Sequence, residues 1–354
     1  MMLQDLKNKA GEVKFRAKLF EQQVEGTATL AGELTSTEML NEMRRRMEIT
    51  RRDFAELAQS GVLQSPFLEL GAERCQRSLV LANDFALNGY AADLSFESLR
   101  YADFLAQQEK LSRIPQRVCC DAYKLPFADD SIGFAFCYQT LHHFPDPTPI
   151  FREIYRVLRP GAVLHVDEEP IRRTWKLNLW KRRVFPKGRE NKYLRYAKDY
   201  LLDFISEPHV SEVDYGICEN DDISLVEWER AIGQAANKKI RLKLLPVPRA
   251  MSRVTHDPGH WGLRSSMCQG LGGILQATIT PKPVRQETAI SREPLCCPVC
   301  RGPLAATPNS LFCEKCSANY PTCDGIRMLL PQDELQSLYP EAVRTVAQEN
   351  HNSL

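Results

Sequence analysis

Three short segments place a small or acidic residue where an apolar run ends. Phe67 to Leu70 is a four-residue apolar run closed by Gly71, Tyr90 to Ala92 is closed by Asp93, and Arg117 to Cys120 is closed by Asp121 and Ala122. Each residue type has its own chemistry. A glycine lets backbone approach a ligand closely. A carboxylate can accept hydrogen bonds from two ribose hydroxyls at once, or one from an adenine amine. An acid after a strand is, taken alone, most often a turn or helix cap. Three in succession point instead to a nucleotide-type site, because ligands of open α/β sheets sit beyond the C-terminal ends of the strands.

A second constellation lies near the end of the chain. Cys297-Pro298-Val299-Cys300 and Cys313-Glu314-Lys315-Cys316 are two C-x-x-C turns. Two such turns can present four thiolates tetrahedrally to Zn2+, which closes the coordination sphere and makes the metal structural. A redox pair needs only one such turn, and an iron–sulfur site is the remaining alternative.

The elements that must hold these residues follow from periodicity. Residues 11–30 alternate weakly (Val13, Phe15, Ala17, Leu19), a strand pattern. Thr35 with Glu38 reads as a capping box opening a helix through Met43, and a second helix runs from Thr50 to Gly61. From Pro66 strands and helices alternate: Phe67 to Leu70, a helix ending at Asn88-Gly89, Tyr90 to Asp93, a helix capped by Ser95, then Arg117 to Cys120 and Ile132 to Tyr138. A helix opens at Asp146-Pro147 and stops at Pro160-Gly161, followed by a strand from Ala162 to Val166. This order implies a parallel sheet with helices on both faces. Lys239 to Val247 and Gly273 to Ile279 read as two late strands.

Leu68-Glu69-Leu70-Gly71, Ala92-Asp93-Leu94-Ser95 and Asp121-Ala122-Tyr123-Lys124-Leu125-Pro126-Phe127 resemble the class I S-adenosylmethionine-dependent methyltransferases. Leu141-His142-His143-Phe144-Pro145-Asp146 and the run from Arg152 to Gly161 share the resemblance, which is nearest to the type 11 domains that act mostly on small molecules. It covers about residues 66–170. It implies an α/β fold, a doubly wound, seven-stranded Rossmann-like sheet whose last strand is antiparallel, with a small C-terminal zinc ribbon. It further implies that Gly71 faces the methionine part of S-adenosyl-L-methionine while Glu69 supports the loop and the cofactor's amino group as a cofactor-binding residue. Asp93 would hold the ribose, Asp121 with Ala122 the adenine, Leu94 would be a further cofactor contact, and Tyr138 and Gln139 would border the methyl group. His142, His143 and Tyr138 are the catalytic candidates, with Asp167, Glu168 and Glu169 as further candidate bases. Two positions depart from the family pattern. Ala72, Glu73, Arg74 and Cys75 follow Gly71 where glycine usually repeats, and Gly133 stands where the fourth strand usually carries an acid. A catalytically silent scaffold is therefore a second reading.

Residues 295–330 resemble the small ribbon family that activates RNA and protein methyltransferases. The chain thus divides into an N-terminal extension with helices (1–62), a methyltransferase domain (63–285), the zinc ribbon (293–332) and a tail (333–354). Residues 171–237 form a basic and aromatic insertion. There, Arg172, Arg173, Lys176, Lys181, Arg182 and Arg183 interleave with Trp175, Trp180, Phe185, Tyr193 and Tyr196. Such a mixture suits RNA, an anionic membrane surface, or a lid whose aromatics cover the acceptor pocket.

Composition excludes little else. The 354 residues carry 46 Lys and Arg against 45 Asp and Glu, a net charge of +1, so global charge selects no partner. There is no run of about 18 apolar residues and no signal-peptide core at the N-terminus. Twelve cysteines in so long a chain fit metal binding and a reducing, cytoplasmic location better than a disulfide scaffold. The expected activity is methyl transfer to a small-molecule or lipid-linked acceptor. RNA methylation is the alternative.

Overall fold

The sheet of this chain is built on a reversal of strand order, and the reversal creates the cleft that matters. The computed structural model describes residues 2–24, 36–177, 179–183, 202, 204–205, 207–209, 223–233, 239–246, 254–256, 260, 262–284 and 294–344. Its strands are β1 (Phe67–Leu70), β2 (Gly89–Asp93), β3 (Gln116–Cys120), β4 (Ile132–Tyr138), β5 (Leu158–Ile171), β6 (Lys181–Arg183), β7 (Glu207–His209), β8 (Lys239–Pro246), β9 (Val254–His256) and β10 (Gly273–Thr280). Four short strands follow: β11 (Ala305–Ala306), β12 (Ser310–Cys313), β13 (Ala318–Cys323) and β14 (Ile326–Leu329). The helices are α1 (Met2–Val24), α2 (Ser36–Gln59), α3 (Gln76–Asn83), α4 (Phe96–Gln108), α5 (Thr148–Val157), α6 (Leu225–Gly233), α7 (Leu263–Leu271) and α8 (Gln332–Leu338).

Seven strands run in the order β3-β2-β1-β4-β5-β10-β8. The first five are parallel, and β10 is antiparallel to both β5 and β8. This is the doubly wound, Rossmann-like methyltransferase fold that the motifs imply. β9 adds one strand beyond β8, and β11 to β14 extend the sheet past β3.

Alternating strand residues supply two cores. Leu68, Leu70, Ala135, Cys137, Leu164 and Val166 pack with α5 and α6 on one face. Phe67, Phe134, Phe136 and Val163 pack around Phe54 of α2 on the other. That second face continues through Met43 and Met47 of α2, Leu79 and Val80 of α3, and Leu105 of α4.

Three local readings are corrected. Residues 11–24 are helix rather than strand, part of the 23-residue α1. Ala, Glu, Lys, Arg and Leu favour helix, the pair Glu12–Arg16 bonds at i,i+4 spacing, and Phe15 is buried by tertiary packing. The two helices expected between Thr35 and Gly61 are one continuous helix, α2. The helix after Gly71 stops at Asn83, five residues before Asn88. Gly133 has a steric reason: a Cβ there would strike the Arg159 guanidinium, which crosses β4 to donate to the Ser65 carbonyl at 2.8 Å.

Candidate functional site

The C-terminal ends of β1, β2, β3, β4 and β5 open into one cavity of about 670 Å3. Its wall includes Gly71, Asp93, Leu94, Asp121, Ala122, Tyr138, Gln139, His142 and His143. Nine residues singled out from sequence thus meet in a single space. Glu69 does not line it. Its carboxylate is buried and accepts the backbone N–H of Ser78 at 3.0 Å and the Ser78 hydroxyl. It therefore fastens the start of α3 beneath the loop, and burial pushes its carboxyl up to about 7 despite Arg77 nearby.

The loop after β1 keeps left-handed turns without the repeated glycines. Gly71, Glu73 and Cys75 all adopt positive φ, at 67°, 47° and 59°. The backbone keeps the left-handed turns that glycine makes freely, with two non-glycine residues held there by their surroundings. Burial would raise the Glu73 carboxyl, but Arg74, Arg46 and Arg16 outweigh it and hold it well below the usual carboxylate range. Gly71 itself has no substitute, since a Cβ would overlap the Thr140 side chain.

Asp93 is placed by the same loop. Its Oδ2 accepts the Glu73 N–H and its Oδ1 the Ser95 N–H, both at 2.8 Å. Each oxygen retains a second lone pair for a ligand hydroxyl. Shielding from water raises its carboxyl to about 6, against those two hydrogen bonds.

Asp121 is more heavily engaged. Oδ1 accepts the Tyr123 N–H at 3.0 Å, and Oδ2 takes the Lys9 ammonium at 2.9 Å. Lys9 also bonds Glu334 at 3.0 Å, so α1, the loop after β3 and α8 are pinned together at one buried ammonium. Lys9, Glu12, Phe15 and Arg16 all line the cavity, and local sequence held no signal for this.

On the other wall, Glu169 is fully buried and accepts the backbone N–H groups of Thr140, Leu141 and His142 at 2.8–3.1 Å. It also takes His142 Nδ1 at 3.0 Å. With Nδ1 turned to a carboxylate, Nε2 is the ring nitrogen suited to accept a proton. Glu169 therefore holds the loop and the imidazole. Gln139 and Glu168 both sit at positive φ here, and Arg77 covers the Tyr138 ring at 4.2 Å. Strained positions gathered at one cavity are a mark of function.

The described aromatics of the insertion are not in this wall. Trp175 and Trp180 are 53% and 48% exposed and stand apart from the cavity lining. Phe185, Tyr193 and Tyr196 lie outside the described residues.

The four cysteines Cys297, Cys300, Cys313 and Cys316 converge, with all sulfurs within 4.8 Å of one another. Tetrahedral Zn–S bonds of about 2.3 Å require sulfurs about 3.8 Å apart. Cys297–Cys316 at 4.0 Å and Cys300–Cys313 at 3.5 Å fit that requirement. No disulfide joins the described cysteines. This segment is stitched to the sheet. β14 pairs in parallel with β3, Ala128 N–H donates to Pro294 at 2.8 Å, and Cys296 N–H donates to Pro126 at 2.9 Å.

Comparison with known proteins agrees with the geometry. Residues 68–166 match the profile of a family described as a methyltransferase domain. That match runs from β1 into β5, the part of the sheet whose strand ends open into the cavity. Phosphoethanolamine N-methyltransferase 2 of Caenorhabditis elegans is 32% identical over 82 residues, 23% of this chain and 18% of that protein. The 2-methyl-6-phytyl-1,4-hydroquinone methyltransferase of Synechocystis is 26% identical over 165 residues, 46% of each. This chain thus spans about a fifth to a half of these relatives. Among solved structures, geranyl diphosphate C-methyltransferase of Streptomyces coelicolor is 12% identical with a TM-score of 0.37, covering 65% of this chain and 77% of that one.

Proposed function

We propose that the chain is an S-adenosylmethionine-dependent methyltransferase acting on a small-molecule or lipid-linked acceptor. The observation that carries this reading is the convergence of Gly71, Asp93, Asp121 and Tyr138 on one cavity at the strand-order reversal. The left-handed path kept by Glu73 and Cys75 supports it, because backbone rather than side chain forms the turn at the cofactor's methionine end. Asp93 holds the ribose hydroxyls. Ala122 and Leu94 border the base, with Asp121 reaching the adenine amine once shared with or released by Lys9. The sulfonium cofactor supplies an already activated methyl group, so the protein's task is alignment and exclusion of water. Tyr138, Gln139, Pro170 and Ile274 form the acceptor wall. His142, oriented by Glu169, accepts the acceptor's proton where that acceptor is a hydroxyl or amine.

The four cysteines would hold zinc in a structural role, as in the ribbons that this segment resembles. Isothermal titration of the zinc-loaded chain with S-adenosylhomocysteine tests the central reading. Micromolar binding, about −8 kcal/mol, is expected. A folded, zinc-loaded protein that binds neither this ligand nor S-adenosylmethionine would be the silent scaffold instead.

A further inference from the structure

The chain leaving the sheet at Ile171 turns outward. Ten large apolar side chains are exposed among the described residues, and four fall within six positions: Trp175, Leu177, Leu179 and Trp180, 48–67% exposed. Scattered exposed hydrophobics need no explanation, but a run of them marks an interaction surface. Nor is this a loose end. The N–H groups of Thr174 and Trp175 donate to Gln269 and Gly270 of α7 at 3.1 and 2.8 Å, and those of Leu177 and Leu179 donate to Phe204 and Ile205 at 2.8 Å. Gly270 makes room for the Trp175 ring, which a Cβ there would overlap. Four backbone N–H groups are thus satisfied while large side chains face water.

Charge says what covers them. Arg172, Arg173, Lys176, Lys181, Arg182 and Arg183 flank the four, and no acid occurs between Ile171 and Arg189. We propose that this surface docks on an anionic lipid bilayer. Tryptophan settles at headgroup depth, leucine enters the acyl boundary, and Lys and Arg meet the lipid phosphates while their stems lie along apolar surface. Nucleic acid would use the cations and the indoles for stacking, but it offers nothing to Leu177 and Leu179. The location gives the surface a purpose. Pro170 and Ile274, which pair across β5 and β10, are cavity wall, and Trp175 follows five residues after Pro170. A lipid-linked acceptor would therefore reach the cavity from the bilayer. That last step rests on the methyl-transfer reading, whereas the docking surface does not.

The test is sedimentation of the full chain with phosphatidylcholine vesicles, with and without phosphatidylserine, alongside tryptophan emission. Retention on the phosphatidylserine vesicles alone is expected, with a blue-shifted emission and weakening as salt is added. The Leu179→Ser, Trp180→Ser double variant should lose about tenfold or more in partition, and Lys181→Gln about fivefold. Circular dichroism and zinc content should stay those of the parent. Absence of binding to either vesicle, or unchanged partition of the double variant, overturns the proposal. So does retention of a mixed tRNA by a chain that ignores the vesicles. Vesicle binding without S-adenosylhomocysteine binding would remove only the methyl-transfer reading. The converse would remove only the surface.

Discussion

Gly71 and Asp93 show how narrowly single residues define the cavity. Gly71→Ala must place a methyl group into Thr140 at a backbone angle of φ 67°. We expect a loss of about 2 kcal/mol or more in urea unfolding, together with weaker S-adenosylhomocysteine binding. Asp93→Ala removes the proposed ribose acceptor and two loop anchors, so affinity in titration calorimetry should fall by about tenfold or more. Unchanged affinity would move the ribose elsewhere. The Asp93 carboxyl at about 6 adds a pH signature. The ionised form is the acceptor, so affinity should drop as pH falls through about 6, by up to about tenfold per unit. The same raised value means that ionisation costs stability at neutral pH and that acidification through about 6 relieves this cost. Glu169→Ala leaves three buried N–H groups without their acceptor. Its expected cost is about 3 kcal/mol or more, read as a lower denaturation midpoint.

Elements couple these residues over long stretches of chain. Lys9 ties α1 to Asp121 and Glu334, 112 and 325 residues away. In Lys9→Met two carboxylates would share a site with no cation from α1, a loss of about 3 kcal/mol on the scale of broken buried pairs. Chemical denaturation of the variant gives this directly, and a change within about 0.5 kcal/mol would show the bridge to be incidental. The cysteine segment is likewise joined to the site, because β14 lies beside β3 and Leu295 bridges to Phe127. Cys300→Ser, or chelation, should release zinc and lower the thermal midpoint. Because the loop from Asp121 to Phe127 loses its support, S-adenosylhomocysteine affinity should fall severalfold as well. Full retention of affinity after zinc loss would mean that the segment only stabilises itself.

At the scale of the whole molecule, no helix among the described residues is long and apolar enough to cross a membrane, and the proposed contact with lipid is argued from the surface around Trp175 and Trp180 alone. What the sequence determined by itself was the middle of the chain. The apolar runs of β1 to β4 are closed by Gly71, Asp93, Asp121 and Gln139, and their order along the chain follows from short-range patterning and turn chemistry. The four converging cysteines were equally legible, since each C-x-x-C turn is a local object. Tertiary structure decided everything that depends on distant packing. Helix α1 reads as a weak strand because alternation in residues 13–19 is local, whereas burial of Phe15 is set by tertiary packing and Lys9 pairs with partners more than a hundred residues away. The left-handed turns at Glu73 and Cys75 could not be read from side chains that disfavour them; Arg16 and Arg46 reach Glu73 only in the fold. Glu169 looks like a solvated strand exit until the loop from Thr140 to His142 folds over it. Local pattern fixes which face of an element is apolar, but the identity of the facing element is set by chain topology, and there the cavity acquired its cover.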